Sequence, residues 1–294
     1  MPSKIFKFDF FRLRIANGST FSLRNTLYRI LEGNSPIWDD IDAKFEVKNV
    51  IQQGEFIHGA FCKYRLDNIP HAGAPNNTER ELELANDEGL IEKNHFAFRP
   101  CDDLLIFQRN GNASKANKVA KFFTETGTET ISFDPLLKGD CVARLMRGEL
   151  TPTSLEVSFA RPTNRDLYPE DQWTRQLMDV LNSAGGARTK LHITSDARSN
   201  DQDRKTLQNR IKNAAAAFSR EEGTNVLRLN LLNEDDGGTY PIDLIADRIF
   251  TPKQVTMEGR YPIESSIQTA IRGAFDDKQD EIYDVIGHPD NRLT

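Results

Sequence analysis

The chain has 294 residues, 38% of them hydrophobic and 28% charged, with a formal net charge of −6. That balance is too apolar for intrinsic disorder and excludes a uniformly basic coat protein. No run of about 18 apolar residues occurs, so no membrane-spanning helix is expected. The opening stretch MPSKIFKFDFFRLRI carries charges throughout and reads as a strand, not a signal peptide, which predicts a cytoplasmic protein.

In chain order, Lys4–Ile15 alternates as a strand and meets a turn at Asn17-Gly18. Leu23, Leu27, Ile30 and Leu31 then recur at helical spacing over Phe21–Leu31, with Ser19 or Thr20 as the cap. Lys44–Val50 and Gly54–Leu66 read as strands, and Asn68–Arg80 as a Pro/Gly/Asn loop. His95–Arg99 and Leu104–Gln108 form a hairpin around Pro100-Cys101-Asp102-Asp103. A helix carrying Lys115, Lys118 and Lys121 follows, capped by Asn112 or Ser114 and ending near Gly127, and Thr130–Phe133 is a further strand.

Beyond a boundary placed between Pro135 and Thr153, Ser154–Ala160 is a strand, Glu170–Leu181 a helix and Lys190–Thr194 a strand. Gln202–Glu222 reads as the longest helix, closed by Gly223. Val226–Leu232, Tyr240–Ile249 and Gln254–Met257 read as strands, and Ile263–Ile286 as a closing helix. The expected class is α+β: a β-rich N-terminal domain with a few helices over 1–135, and a C-terminal sheet covered by helices, including the closing helix, over 136–294.

Catalytic signatures are missing from the sequence. It contains no G-x-x-x-x-G-K-[ST], no G-x-G-x-x-G and no G-x-S-x-G. The five histidines are scattered, and Cys62, Cys101 and Cys141 lie far apart, which predicts reduced thiols and neither a zinc site nor a disulfide framework. No cofactor or metal is expected. Should a nuclease centre assemble in the fold, Asp134, Glu156, Asp201 and Asp203 are its first candidates.

Charge distribution is more informative. From Lys138 to Arg220 there are 14 Lys/Arg against 10 Asp/Glu, a local +4, which leaves −10 for the remainder. An acidic total is compatible with nucleic-acid binding, because the electrostatic footprint is a patch. Arg109 stands at a strand end just before the lysine helix, so Arg109, Lys115, Lys118 and Lys121 suit a phosphate. Arg144, Arg147, Arg161, Arg165, Arg188 and Arg198 fall in or beside turns. On a continuous helix over Gln202–Glu222, Lys205, Lys212 and Arg220 lie opposite Leu207, Ile211, Ala214 and Phe218. Together these residues form the expected DNA-binding set. Exposed helix lysines are equally what any solvated face carries.

The stretches FAFRPCDDLLIFQRNGNASKANKVAKFF and ISFDPLLKG, then LEVSF, KLHIT, the polar-faced helix and the closing helix, run from about Phe96 to Ile286. In that order they resemble the lambda-type phage exclusion protein RexA and, more distantly, the KwaB subunit of the Kiwa anti-phage system. The resemblance implies sequence-non-specific binding of double-stranded DNA by a homo-oligomer, usually a dimer. It also implies abortive-infection or exclusion-type defence alongside a separate membrane protein, without a catalytic centre of its own. Ile263, Ile267, Ile271 and Phe275 on the closing helix offer either a dimer surface or a core face. A metal-dependent nuclease, or a protein-binding adaptor using the Asn68–Arg80 loop, are the alternatives.

Overall fold

The computed structural model describes residues 1–15, 21–40, 43–75, 78–85, 88–127, 129–138, 145, 150–160, 172–196, 199, 201–208, 210–220, 224–233 and 237–288. The elements in chain order are β1 (Ser3–Ile15), α1 (Leu23–Leu31), β2 (Ile37–Asp40), β3 (Ala43–Gln53), β4 (Phe56–Arg65), β5 (Leu90–Arg99), β6 (Leu104–Arg109), α2 (Ala116–Thr126) and β7 (Ile131–Pro135). There follow β8 (Leu150–Ala160), α3 (Gln172–Ser183), β9 (Arg188–Thr194), α4 (Gln202–Lys205), α5 (Arg210–Arg220), β10 (Thr224–Asn233) and β11 (Thr239–Asp243). The chain closes with β12 (Phe250–Glu258), β13 (Tyr261–Pro262) and α6 (Glu264–Ile286). The fold is α+β, with two antiparallel sheets and a mostly β N-terminal region.

The larger sheet runs β13-β12-β1-β6-β5-β4-β3-β2, with β7 pairing β1. It dominates a first compact unit made of Met1–Asp9, Leu13–Phe133 and Thr251–Asp276; Asp134–Phe250 forms the body of a second. This division differs from a cut at 135/136. β12 lies between β13 and β1 in the larger sheet, and Phe275 of α6 meets Phe56 of β4 edge-on at 5.4 Å. A strand returning late in the chain carries the first half of the closing helix with it. Ile267, Ile271 and Phe275 are buried there, so this stripe is core and not a dimer surface.

Side-chain alternation along β4 sends neighbouring residues to opposite faces of the sheet. Phe56 meets α6 on one face, while Phe61 meets Phe122 of α2 on the other at 5.5 Å. Between them Gly59 lies under the Phe96 ring, where a Cβ would stand 2.7 Å from Phe96 Cζ. Helix α1 is amphipathic: Leu23, Leu27 and Ile30 are buried, and its N-cap is Ser22, whose Oγ accepts the Asn25 N–H at 3.3 Å. Ser19 and Thr20, the expected caps, lie outside the described residues.

The second unit holds a four-stranded sheet in the order β11-β10-β8-β9. Leu155, Val157 and Phe159 of β8 and Leu227, Leu229 and Leu231 of β10 point inward onto Met178 and Leu181 of α3 and Ile211, Ala215 and Phe218 of α5. The expected single helix over 202–222 is two. The Leu207 N–H donates to the Pro152 carbonyl at 2.6 Å, a tie to the sheet that interrupts the helical ladder between α4 and α5. Likewise β11 ends at Asp243, short of Ile249, because Asp243 Oδ1 accepts the N–H groups of Ile245 and Ala246 at 3.1 Å each and turns the chain.

Candidate nucleic-acid interface

The strand-to-helix turn after β6 is built by buried amides. Asn94 Nδ2 donates to the Gln108 carbonyl at 3.0 Å, and Asn94 Oδ1 accepts the Ser114 N–H at 2.8 Å. Neither Asn112 nor Ser114 caps α2. The N-cap is Lys115, whose side chain makes no capping bond.

Three of the four basic residues at this turn, Arg109, Lys118 and Lys121, are engaged within the first unit. Arg109 donates to Asp9 through Nε at 2.8 Å, and its Nη2 bonds the second carboxylate oxygen. Lys118 Nζ sits 2.7 Å from Asp40 Oδ2 and 5.2 Å from the ring centres of both Trp38 and Phe45. Lys121 lies 5.0 Å from the Trp38 ring and 3.9 Å from Asp40 Oδ1. Trp38 in turn stacks on Phe45 at 5.1 Å. The lysine stripe thus caps an aromatic pair and closes β2 against α2. Lys115 alone of the three is exposed.

In the second unit, helices α3 and α5 pack on the inner face of the four-stranded sheet, and the outer face carries its polar residues. A transverse row crosses all four strands: Asp243 pairs in register with Arg228, Arg228 with Glu156, and Glu156 with His192. Lys190 Nζ reaches Glu156 Oε1 at 3.1 Å, while Arg228 Nη1 lies 3.6 Å from Glu156 Oε2 and Arg228 Nε bonds Asp243 at 3.0 Å. The hydrogen bond from Lys190, with the charges of Lys190 and Arg228, holds the Glu156 carboxyl below its ordinary range. Arg188 is exposed at the end of the same face. Ser154, Ser158, Thr194 and Asn230 supply hydroxyl and amide groups between the charges, and Asn230 Nδ2 donates to Ser154 Oγ at 2.9 Å.

Of the remaining predicted residues, Lys212 is buried at 5% exposure, where desolvation lowers its pKa. The buried arc of α5 is wider than the stripe Ile211, Ala214 and Phe218: Ala215 and Ser219 are buried as well, and Lys212 falls at the edge of that arc. Lys205 is half-buried at the end of α4. Arg220 ends α5, with its side chain outside the description, and Arg144, Arg147, Arg161, Arg165 and Arg198 lie outside the described residues. Lys190 and Arg228 were missed by the sequence reading. Their signal is the phase of KLHIT and VLRLNLL, in which the charged positions alternate with inward-facing leucine and isoleucine.

Among the described residues no three His, Cys, Asp or Glu side chains gather as a metal group. Of the nuclease candidates, Glu156 is held by two cations and Asp201 pairs with Arg204 at 3.7 Å. Asp134 lies in β7, and the Asp203 side chain lies outside the description. Arg99 bridges buried Asp102 and Glu55 at 2.7 Å each and lies 4.6 Å from the Phe275 ring centre. Burial raises the Cys62 thiol to about 11, and burial with the Asp102 charge raises Cys101. Both are free thiols, and Cys141 lies outside the description. A cavity of about 420 Å3 opens beside α1, lined by Arg24, Tyr28, Glu55 and Cys101 over Leu13 and Phe98.

These features define an α+β protein whose second unit presents one polar, cation-bearing sheet face. The family of unknown function DUF6731 matches residues 41–281, and the chain belongs to that family. Comparison with curated proteins finds no match. No helix among the described residues is long and apolar enough to cross a membrane.

Proposed function

We propose that the protein binds double-stranded DNA through its phosphate backbone, without sequence preference, as a cytoplasmic sensor or effector of anti-phage defence. In this reading it acts as a homo-oligomer with a separate membrane partner and no cofactor. The observation that carries the proposal is the outer face of the four-stranded sheet, where Arg188, Lys190 and Arg228 stand exposed on strands two positions apart or less. Cations bind phosphate by charge, and the intervening Ser, Thr and Asn side chains are the groups that add phosphate and sugar contacts. A protein of this kind reads the backbone and leaves bases unread. The defence role follows the resemblance of the segment order to RexA and KwaB.

The test is binding to a random-sequence DNA duplex across a salt series, with and without magnesium, with the product run on a gel. Affinity that falls steeply with salt and leaves the duplex intact supports the reading. Cleaved DNA would replace it with a nuclease. Absence of binding at low salt would leave Arg188 and Lys190 as deterrents to edge-to-edge strand pairing, the ordinary role of charged side chains on an edge strand such as β9.

A further inference from the structure

We infer that Glu156 is an internal stand-in for a DNA phosphate and sets the affinity of the sheet face by occupying its cations. The inference rests on the DNA-binding reading and adds an affinity-setting residue to it.

The geometry is that of a phosphodiester replaced by a carboxylate. A phosphodiester offers one negative charge shared by two non-bridging oxygens. Glu156 offers one negative charge shared by Oε1 and Oε2, and each oxygen faces a different cation: Lys190 at 3.1 Å and Arg228 at 3.6 Å. The cations come from the two strands that flank β8, so the carboxylate sits at the centre of the patch and not at its rim. The side chains of Lys190 and Arg228 are 68% and 60% exposed. Exposed ion pairs of this kind contribute little to folding and exchange readily for another anion. The side chain of Glu156 is the more enclosed, at 27%. It stays on the face when a duplex arrives, and its charge then repels the phosphate that takes its partners. Asp243 completes the row by holding Arg228 from the far side at 3.0 Å.

Binding therefore draws on Arg188 first, and on Lys190 and Arg228 only after they leave Glu156. Removing the carboxylate charge should raise affinity and increase the number of cations that engage DNA. The experiment compares the whole protein with Glu156→Gln, Glu156→Asp, Lys190→Gln and Arg228→Gln, measuring duplex affinity against salt between about 50 and 200 mM. The expected result is that Glu156→Gln binds the duplex about three- to ten-fold more tightly at low salt, with a log K against log salt slope steeper by about 1. Glu156→Asp, which keeps the charge, behaves as the unaltered protein. Lys190→Gln and Arg228→Gln each weaken binding.

Unchanged affinity and slope in Glu156→Gln, alongside weakened Lys190→Gln, would overturn the role of Glu156 and leave the DNA reading standing. Failure of both the unaltered protein and Glu156→Gln to bind at low salt would overturn the DNA reading itself. Binding by Glu156→Gln alone would overturn the DNA reading for the unaltered protein, and the inference with it. If circular dichroism showed Glu156→Gln to be unfolded, Glu156→Ser, the residue type already present on this face at Ser154 and Ser158, gives the same comparison.

Discussion

Arg109 and Asp9 are 100 residues apart in sequence and joined by two hydrogen bonds, one from Nε and one from Nη2 of the guanidinium. They stand on adjacent strands, β6 and β1. The pair gives the arginine at the end of β6, just before a lysine-bearing helix, a structural role in tying β6 to β1. A carboxylate of the same chain already occupies its fork.

Breaking that pair should therefore affect folding and not DNA affinity. Asp9→Asn is expected to lower stability by about 0.5–1 kcal/mol, a modest effect because Arg109 is half-exposed. Arg109→Gln should leave duplex affinity unchanged. Urea denaturation measures the first, and a binding isotherm the second; a large loss of affinity in Arg109→Gln would return this residue to the interface.

The lysine stripe yields a similar expectation. Trp38 is the platform on which Lys118 and Lys121 rest and against which Phe45 stacks. Trp38→Ala should cost about 2–4 kcal/mol of stability by removing the stacked ring and the seat of both ammonium groups. Lys118→Ala should cost less, about 1 kcal/mol. Thermal melting of the two variants ranks them, and an inert Trp38→Ala would contradict the packing.

His58 gives a pH dependence. It lies in β4 on the face covered by α6, 2% exposed, with no hydrogen-bond partner for either ring nitrogen. Burial, helped by the charge of Arg272, lowers its pKa to about 4. Folding thus favours the neutral ring. Below the unfolded value of about 6.5 the unfolded chain binds the extra proton, so stability is complete above pH 6.5 and is lost as pH falls toward 4. The contribution lost is about 3 kcal/mol. His95, also lowered by burial, acts in the same direction. Stability measured between pH 7 and 4 should fall less steeply in His58→Leu than in the unaltered protein; equal slopes would refute this origin.

Lys212 and Lys190 form a matched test of surface against interior. Lys212→Met should leave duplex affinity unchanged, since its ammonium is enclosed beside the core of the second unit. Lys190→Gln should weaken binding and reduce the salt slope by about 1. Reversal of the two results would place the interface on α5.

The sequence by itself determined the α+β class, the amphipathic stripe Leu23, Leu27 and Ile30 of α1, the hairpin around Pro100–Asp103 and the alternation of KLHIT. Each of these is a short-range pattern whose period records which side of an element is buried. Only the tertiary structure decided which charges are spoken for. Asp9 reaches Arg109, Asp40 reaches Lys118, and Glu156 reaches Lys190 and Arg228 through strand pairing between distant segments, and no local period carries that information. The same holds for the return of β12 to the first sheet, for the break before α5, where one bond ties Leu207 to Pro152, and for the width of the buried arc of α5, which takes in Lys212. Local side-chain periodicity is written along the chain, but the partner of a charge is set by the register of strands far apart in sequence.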